Sequence, residues 1–155
     1  MAGRVSTIHQ VTVPPDARAL STLSHIDYED AFLVDVPARE RTAEQWARAV
    51  LDDAPLTTRR MLQSGWLSLG LKVGGSGSER VLGWELQRST PDFVLLAAGS
   101  RIGMPAQLLF QCREDTLLFA TFVQQDNPLA RATWAGVEPV HVRVVRRLLA
   151  ESFRR

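Results

Sequence analysis

The sequence lacks the features that mark secreted, membrane or nucleic-acid-binding proteins. Cys112 is its single cysteine, so an internal disulfide is impossible and a cytoplasmic location is the simplest expectation. No apolar run approaches the roughly 20 residues that a membrane helix requires, and residues 1–15 contain no apolar core of a secretory signal. Basic and acidic residues number 18 and 17, so no strong field attracts nucleic acid or an anionic membrane. We therefore expect a soluble protein with no nucleic-acid partner and no integral membrane association.

Lysine is almost absent too, since Lys72 is the only lysine among the 18 basic residues and the other 17 are arginine. This bias is typical of a GC-rich genome, such as an actinobacterial one, and says little about function. A chain of 155 residues fits one domain. A domain of this size buries roughly 70% of the surface that its unfolded chain exposes. We therefore expect one domain with a substantial core.

The first part of the chain contains few regular elements. Residues 1–24 are polar and mixed, and a pair of prolines interrupts them. An extended piece at residues 5–13 and a frayed tail both fit this composition. We predict an N-terminal arm over residues 1–24 and a single domain over residues 25–155. The first firm signal is residues 28–36, whose β-branched and large apolar side chains predict a strand.

Two short helices are expected next. Thr42 and Gln45 have the spacing of a capping box, in which each side chain satisfies a backbone amide of the first helical turn. Pro55 ends this helix. Thr57 or Thr58 is expected to cap the second helix, and its predicted inner face comprises Met61, Leu62, Trp66 and Leu69. A flexible loop is predicted from Gly70 to Ser78.

The pattern changes after residue 80. Short breaks separate four strand-like runs: residues 81–89, 92–99, 104–113 and 116–125. Connections this short force antiparallel pairing, because a parallel crossover needs roughly a dozen residues or more. A helix is predicted from about Pro128 to Phe153, and Pro139 permits either a fresh helix start or a kink. This order predicts an α+β fold, with two short helices after the first strand and a long C-terminal helix covering one face of a curved antiparallel sheet of about five strands.

The C-terminal helix is amphipathic. At about 100° per residue, one sector of its surface is apolar and has a histidine near its centre. This sector comprises Val137, His141, Val144, Val145, Leu148 and Ser152. The opposite side carries Arg143, Arg146, Arg147 and Arg154. We interpret these arginines as a solvated face, because the rest of the chain offers no matching basic surface for nucleic acid.

Two stretches of the sequence resemble the DUF2867 family. The opening stretch combines Ile26-Asp27-Tyr28 with Ala31-Phe32, and the closing stretch combines Thr121-Phe122-Val123, Asn127, Trp134, Pro139-Val140-His141 and Val144-Val145-Arg146-Arg147-Leu148-Leu149. The resemblance covers residues 25–153 and is most specific toward the C-terminus, whereas Arg101 to Leu109 lacks the aspartate- and histidine-bearing strand segment of the family. It implies the helix-grip fold of the Bet v 1, START and polyketide-cyclase superfamily (SRPBCC), in which a sheet grips the last helix over a hydrophobic cavity. For the DUF2867 family itself it implies no established chemistry.

Side chains of both the sheet and the last helix would line such a cavity. Alternation along the strands places large apolar residues together on one face. The pattern predicts that these residues are buried in the core, and they line a pocket only if the core is not completely filled by side chains. The residues that we predict to contact a ligand are Trp84, Leu86, Phe93, Leu95, Leu108, Phe110, Phe119, Trp134, His141, Val144, Val145 and Leu148.

Three polar side chains are candidates for chemistry in the cavity, namely His141, Tyr28 and Arg101. A histidine that faces a cavity can act as an acid, a base or an orienting donor at neutral pH. In an enzyme, His141 together with Tyr28 or Arg101 would position and protonate a substrate. In the alternative interpretation, His141 is a core histidine whose ring hydrogen-bonds a carbonyl or carboxylate of the sheet and so fixes the helix.

The carboxylates around Tyr28 are a weaker candidate site. Asp27, Glu29 and Asp30 are interpreted as the solvated start of a strand rather than as an acid–base pair. His25 and Asp27 have only a weak metal-binding spacing, and no second cluster supports them. We therefore expect neither a metal site nor a cofactor.

Cys112 and the glycine-rich loop are also interpreted as structural. Cys112 lies on an apolar strand face, which predicts a buried, unreactive thiol. The loop at residues 74–78 follows a helix and precedes a strand, the reverse of the order in a nucleotide-binding loop. We expect a linker there, or a lid over the cavity mouth.

Three hypotheses of function follow from these features. In the first, the protein binds a small hydrophobic or amphipathic molecule, such as a lipid, a fatty acid or a polyketide. In the second, a cyclase- or dehydratase-type enzyme uses the same cavity. In the third, the core is filled and the protein is a non-catalytic interaction module, acting through a surface patch or as a homodimer. The three differ in what fills the core and in the polar groups that face it.

Overall fold

A computed structural model describes residues 7–75 and 77–153, and it has the predicted α+β class. One curved, eight-stranded antiparallel sheet has the strand order β1-β2-β8-β7-β6-β5-β4, with β3 paired to β6. The strands are β1 Ile8–Val11, β2 Tyr28–Asp35, β3 Leu71–Lys72, β4 Arg80–Val81, β5 Trp84–Ser89, β6 Phe93–Ser100, β7 Ala106–Cys112 and β8 Thr116–Val123. The α-helices are α1 Pro15–Arg18, α2 Ala43–Val50, α3 Leu56–Ser68 and α4 Pro128–Ser152, and a 3₁₀ turn spans Ala38–Glu40.

The sheet has more strands than the expected five, and the additional strands are short. The run 81–89, predicted as one strand, is instead the hairpin of β4 and β5, in which Val81 pairs with Trp84. Leu82 and Gly83 form its two-residue turn, with φ angles of 46° and 87°, as a type I′ turn requires. A Cβ on Gly83 would lie 2.7 Å from the backbone nitrogen of Gly74, so both the turn and the close approach of that loop require glycine.

The two faces of the sheet are buried by different parts of the chain. Side chains alternate along each strand, so Phe119 and Val123 of β8 belong to the core beneath the helices, the inner face, while Leu118 and Phe122 belong to a second core on the outer face. The helices α2, α3 and α4 contribute to the inner core. The outer core is completed by residues 11–26.

Residues 7–24 of the segment predicted as an N-terminal arm are therefore part of the sheet and of its outer layer, and residues 1–6 lie outside the described part of the chain. β1 pairs with β2 along its whole length. Ala17 of α1 is fully buried against the outer face. The side chain of Ser21 donates to Oε1 of Gln107 at 2.8 Å, and the backbone amide of Thr22 donates to the same atom at 3.1 Å. This cover explains why β8 is apolar on both faces.

The predicted capping box at the start of α2 is confirmed. Thr42 Oγ1 accepts from the Gln45 amide at 3.2 Å, and Gln45 Oε1 accepts from the Thr42 amide at 2.9 Å. The predicted cap of α3 is wrong, because this helix begins at Leu56, uses Pro55 as its N-cap and has no side-chain cap. Proline suits this position because an amide there would lack a helical partner in any case.

We expect the substitution Thr42→Ala to lower the free energy of unfolding by about 1 kcal/mol, because it leaves the Gln45 amide without its acceptor. The matched control is Thr57→Ala, at an exposed position in the first turn of α3 that forms no cap. Its effect should stay within about 0.5 kcal/mol. Chemical denaturation of both variants tests the pair, and an equal loss in both would contradict the assigned caps.

The long helix α4 is continuous over 25 residues and presents its predicted face to the sheet. Asn127 caps it by accepting from the Ala130 amide at 2.8 Å, and its Nδ2 donates to the carbonyl of Ile102 at 2.9 Å. Pro139 lies within the helix at an exposed position. In residues 7–75 and 77–153, no helix combines the length and the apolar character needed to cross a membrane.

Candidate functional site

A cavity of ≈ 270 Å³ lies between α3, α4 and the inner face of the sheet. Its walls are mostly apolar, and it is partly open to solvent where Met61 of α3 and Val140 of α4 are exposed. The side chains and backbone around it belong to Met61, Leu62, Gly65, Trp66, Leu69, Leu71, Trp84, Ala106, Leu108, Thr121, Val123, Trp134, Val137, Val140, His141 and Val144.

Small residues create this space. Ala106 of β7 forms part of the floor, where a larger side chain would extend into the cavity. On α3, a Cβ added to Gly65 would meet no atom within 4 Å. Protein interiors are normally packed as densely as organic crystals. An unfilled volume of this size in the core is therefore a feature that requires an explanation.

The structure brings together five of the residues predicted to contact a ligand, since Trp84, Leu108, Trp134, His141 and Val144 all line the cavity. Five more belong to the surrounding core of the inner face without lining this cavity, namely Leu86, Phe110, Phe119, Val145 and Leu148. Leu148 instead lines a second cleft of ≈ 210 Å³ between α3 and α4.

The placement predicted for Phe93 and Leu95 is wrong. Val94 pairs with Phe110 and Leu96 pairs with Leu108, so the even-numbered positions of β6 face the inner core. Phe93 and Leu95 therefore point to the outer face, where they pack in the core completed by the N-terminal segment. They cannot line a cavity on the other side of the sheet.

A polar cluster of Tyr28, Asp30 and His141 lies at one end of the cavity. Asp30 is buried on β2, and its Oδ2 accepts a hydrogen bond from the Tyr28 hydroxyl at 2.6 Å. Nε2 of His141 lies 3.0 Å from the same oxygen, and the two side chains are 16% and 3% exposed. Trp134 packs beside both rings, with centroid distances of 4.8 Å to Tyr28 and 5.1 Å to His141.

The cluster favours a neutral tyrosine. Burial raises the pKa of the Tyr28 hydroxyl well above its ordinary range, and the hydrogen bond to Asp30 and the negative charges of Asp30 and Glu138 raise it further. The phenol therefore stays protonated throughout the physiological pH range and donates a hydrogen bond to Asp30. Asp30, held by Tyr28 and facing His141, joins β2 to the middle of α4.

Asp30 was missed by the sequence interpretation, which placed it at a solvated strand start with Asp27 and Glu29. Only Asp27 and Glu29 fit that prediction. Glu29 forms an ion pair with Arg18, and Asp27 accepts from the Gln125 amide at 2.6 Å. The signal for Asp30 was available, because alternation places it on the same face of β2 as Phe32 and Val34.

Other predicted candidates lie away from the cavity. Arg101 is exposed on the connection between β6 and β7 and does not line the cavity, so Tyr28 and His141 come together without it. Cys112 is buried, and burial raises the pKa of its thiol, which fits the prediction of an unreactive cysteine. His25 contacts Asp27 and Asp126 at the surface. Within the part of the chain that the structure describes, no group of three His, Cys, Asp or Glu is placed to hold a metal ion.

Five buried polar atoms in or beside the cavity lack a hydrogen-bond partner among residues 7–75 and 77–153. They are Trp84 Nε1, Trp134 Nε1, Thr121 Oγ1, Asp30 Oδ1 and His141 Nε2, the last being close to Asp30 without hydrogen-bond geometry. Four of these five residues line the cavity. Buried polar groups are paired in the large majority of cases, so this part of the core is unusual, and the cavity beside it is the candidate site.

Comparison with known proteins adds little to this geometry. No protein-family model matches the chain, and no curated protein matches it. Among solved structures, the chain is similar to a protein of unknown function from Pseudomonas aeruginosa, with 16% identity over 93% of this chain and 83% of that chain and a TM-score of 0.25. Similarity at this level assigns neither a fold family nor a function, so the residues around the cavity carry the functional argument.

Proposed function

We propose that the protein binds a small, mainly apolar molecule in the cavity between α3, α4 and the sheet. The observation that carries this proposal is the unfilled, mostly apolar volume of ≈ 270 Å³ between α3, α4 and the inner face of the sheet. Ligand sites in proteins are typically apolar clefts of roughly 300–1,000 Å³ with a few polar groups. The cavity volume lies just below that range, which points to a ligand smaller than a membrane lipid.

The arrangement of the elements supports a helix-grip assignment as part of this proposal. In such a fold a long C-terminal helix lies across an antiparallel sheet and encloses a binding space. Here α4 contributes Trp134, His141 and Val144 to one wall, and β7 and β8 contribute Ala106 and Thr121 to the floor. The resemblance of the sequence to the DUF2867 family agrees with this arrangement. We place the binding activity in the cytoplasm, where a single buried thiol is compatible with the reducing conditions.

The proposal is tested with a neutral fluorescent dye, N-phenyl-1-naphthylamine, which brightens in apolar surroundings. We expect saturable binding with one dye per protein, and displacement of the dye by decane or 2-nonanone. Native mass spectrometry of the protein as purified should detect any bound molecule directly. If the folded protein neither binds the dye nor retains any ligand, the cavity is not a binding site.

A second candidate function is acid–base catalysis in the same cavity, favoured by the contact of His141 with Asp30. A histidine whose ring is oriented by a carboxylate is a common general base. For this function, a molecule that displaces the dye should be converted to product by the wild-type protein and not by the His141→Gln protein. The two proteins should be equally well folded, because glutamine occupies similar space, so that a loss of conversion reports the missing imidazole.

The third hypothesis, an interaction module, required a filled core, and the cavity argues against that version. A homodimer stays a prediction, which light scattering on the eluting protein tests. A dimer whose formation masks the exposed Met61 and Val140 would cover the cavity mouth, and dye binding would then fall as protein concentration rises.

A further inference from the structure

The exposed large apolar side chains lie on the two helices that border the cavity. Among residues 7–75 and 77–153, five such side chains are 49% to 61% exposed, and all of them belong to α3 or α4: Leu56, Met61, Leu67, Leu129 and Val140. A single exposed leucine is normal on a protein surface. Five on two neighbouring helices form a patch of the kind that marks an interaction surface.

Helical spacing places these side chains around the entrance of the cavity. At about 100° per residue, Leu56 and Leu67 lie within about 20° of each other on α3. Leu129 and Val140 have the same spacing and therefore share one side of α4. Met61 and Val140 lie at the cavity mouth. Because α3 and α4 line the same cavity and the same neighbouring cleft, their exposed sides form one continuous surface.

This surface is positively charged, although the whole chain is nearly neutral. α3 carries Arg59 and Arg60 and no acidic residue, and α4 carries four of the 18 basic and two of the 17 acidic residues. Arg60 is exposed, and it lies on the same side of α3 as Leu56, four residues earlier. The net charge of the sequence averages over the whole molecule and hides this one-sided distribution.

The acidic residues of α4 do little to neutralise the surface. Arg143 and Arg147 are exposed and follow Val140 by three and seven residues, so they share its side of the helix. Glu151 forms an ion pair with Arg147. Glu138 precedes Val140 by two residues, which turns it about 160° around the helix, and its charge acts on the polar cluster instead. Arg143 therefore keeps its positive charge beside the exposed apolar side chains.

We propose that this surface, which we call the mouth surface, docks on an anionic lipid bilayer. It comprises Leu56, Arg60, Met61, Leu67, Val140 and Arg143. An amphipathic surface of this kind buries its apolar side chains at the level of the lipid headgroups, while its arginines contact the negative charges of the leaflet. A second copy of the chain fits less well, because a two-fold contact through this surface brings like charges together.

The position of the mouth surface connects it to the proposed function. A bound molecule that is mainly apolar dissolves far better in a bilayer than in water, and a docked mouth surface lets it enter the cavity without crossing water. This entry route rests on the proposed binding function. The docking itself does not, because it depends on exposed side chains and not on the cavity.

Sedimentation with lipid vesicles tests the docking. We expect the protein to sediment with vesicles of phosphatidylcholine that contain about 30% phosphatidylglycerol, and much less with phosphatidylcholine alone, because each arginine near an anionic surface strengthens binding about fivefold. Raising the salt concentration from about 0.1 M to about 0.5 M should weaken the binding at least about fivefold, since salt screens the charges. Binding of N-phenyl-1-naphthylamine, measured without vesicles, reports on the cavity separately.

Two substitutions on the mouth surface test its charge and its apolar contacts. Arg143→Gln and Leu67→Gln should each weaken vesicle binding about fivefold. Neither residue lines the cavity, so both variants should bind the dye like the wild type. The matched control is Arg88→Gln, which should bind vesicles like the wild type. The exposed Arg88 guanidinium lies over the ring of Phe93, on the outer face of the sheet.

Three results would overturn the docking proposal. In the first, the wild-type protein stays in solution with the anionic vesicles at about 0.1 M salt. In the second, Arg88→Gln weakens vesicle binding as much as Arg143→Gln, so that charge attracts the protein without a defined surface. In the third, light scattering finds a dimer that Leu67→Gln turns into a monomer, so that a second copy covers the surface. Loss of dye binding alone would instead remove the binding function and leave the docking intact.

Discussion

Replacing Ala106 by leucine should abolish dye binding while leaving the protein folded. The Ala106 side chain lies on the cavity floor and is 6% exposed, so the larger side chain would extend into space that the ligand needs. We expect the dye affinity to fall at least about tenfold. The free energy of unfolding should stay within about 1 kcal/mol of wild type or increase, because each additional buried methylene stabilises the fold by roughly 0.8 kcal/mol where room exists. Dye titration and chemical denaturation measure the two quantities.

The control for this prediction is Ala120→Leu. Ala120 is fully buried on the outer face of β8, in a core that lines no described cavity. Extra methylenes in a packed core cost about 1–3 kcal/mol, so this variant should lose stability, and its folded fraction should bind dye like the wild type. If Ala106→Leu loses as much stability as Ala120→Leu, side chains close the cavity in solution and the binding proposal fails.

Elements with local signals could be predicted from the sequence. The capping box of Thr42 and Gln45 and the apolar stripe on α4 depend on residues close together in the chain, and the structure confirms both. The short strands carried no such signal. β3 and β4 have two residues each, and they are strands only because β6 and β5 pair with them. Pairing of this kind depends on contacts between distant residues and leaves no period in the sequence.

The outer layer explains why Phe93 and Leu95 were assigned to the wrong face of the sheet. Where one face of a sheet is solvated, polar residues alternate with apolar ones and reveal which side chains point inward. Residues 11–26 cover the outer face here, so β6 is apolar on both sides, and the sequence pattern did not show that Phe93 and Leu95 point away from the helices. Unfilled space has no sequence pattern at all, since Ala106 and Gly65 are small whether or not a neighbour fills the gap.

The polar cluster shows how far local patterns can be misleading. His141 could be found because it interrupts an apolar helical stripe. Both interpretations of this residue, as an acid or base in the cavity and as a core histidine bonded to the sheet, placed its ring on the side of α4 that faces the sheet. Asp30 was grouped with its sequence neighbours, although alternation on β2 separates it from Glu29. Once Asp30 is placed inside, its partners are explained: the Tyr28 hydroxyl donates to the buried carboxylate, and His141 lies 3.0 Å from the same oxygen.

Replacing His141 by leucine should lower the free energy of unfolding by about 3 kcal/mol, because it leaves the buried Asp30 carboxylate without its nearest cation-forming partner. The value lies at the lower end for such pairs, since the Tyr28 hydroxyl still donates to Asp30. In the double variant Asp30→Asn/His141→Leu the buried group is neutral, and we expect at least about half of the lost stability to return. Chemical denaturation of wild type, both single variants and the double variant gives the coupling free energy directly.

A loss below about 1 kcal/mol in His141→Leu would mean that the pair contributes little to holding α4 on the sheet. His141 would then lack a structural reason for its place in the cavity wall, and the acid–base hypothesis would become the better explanation of it.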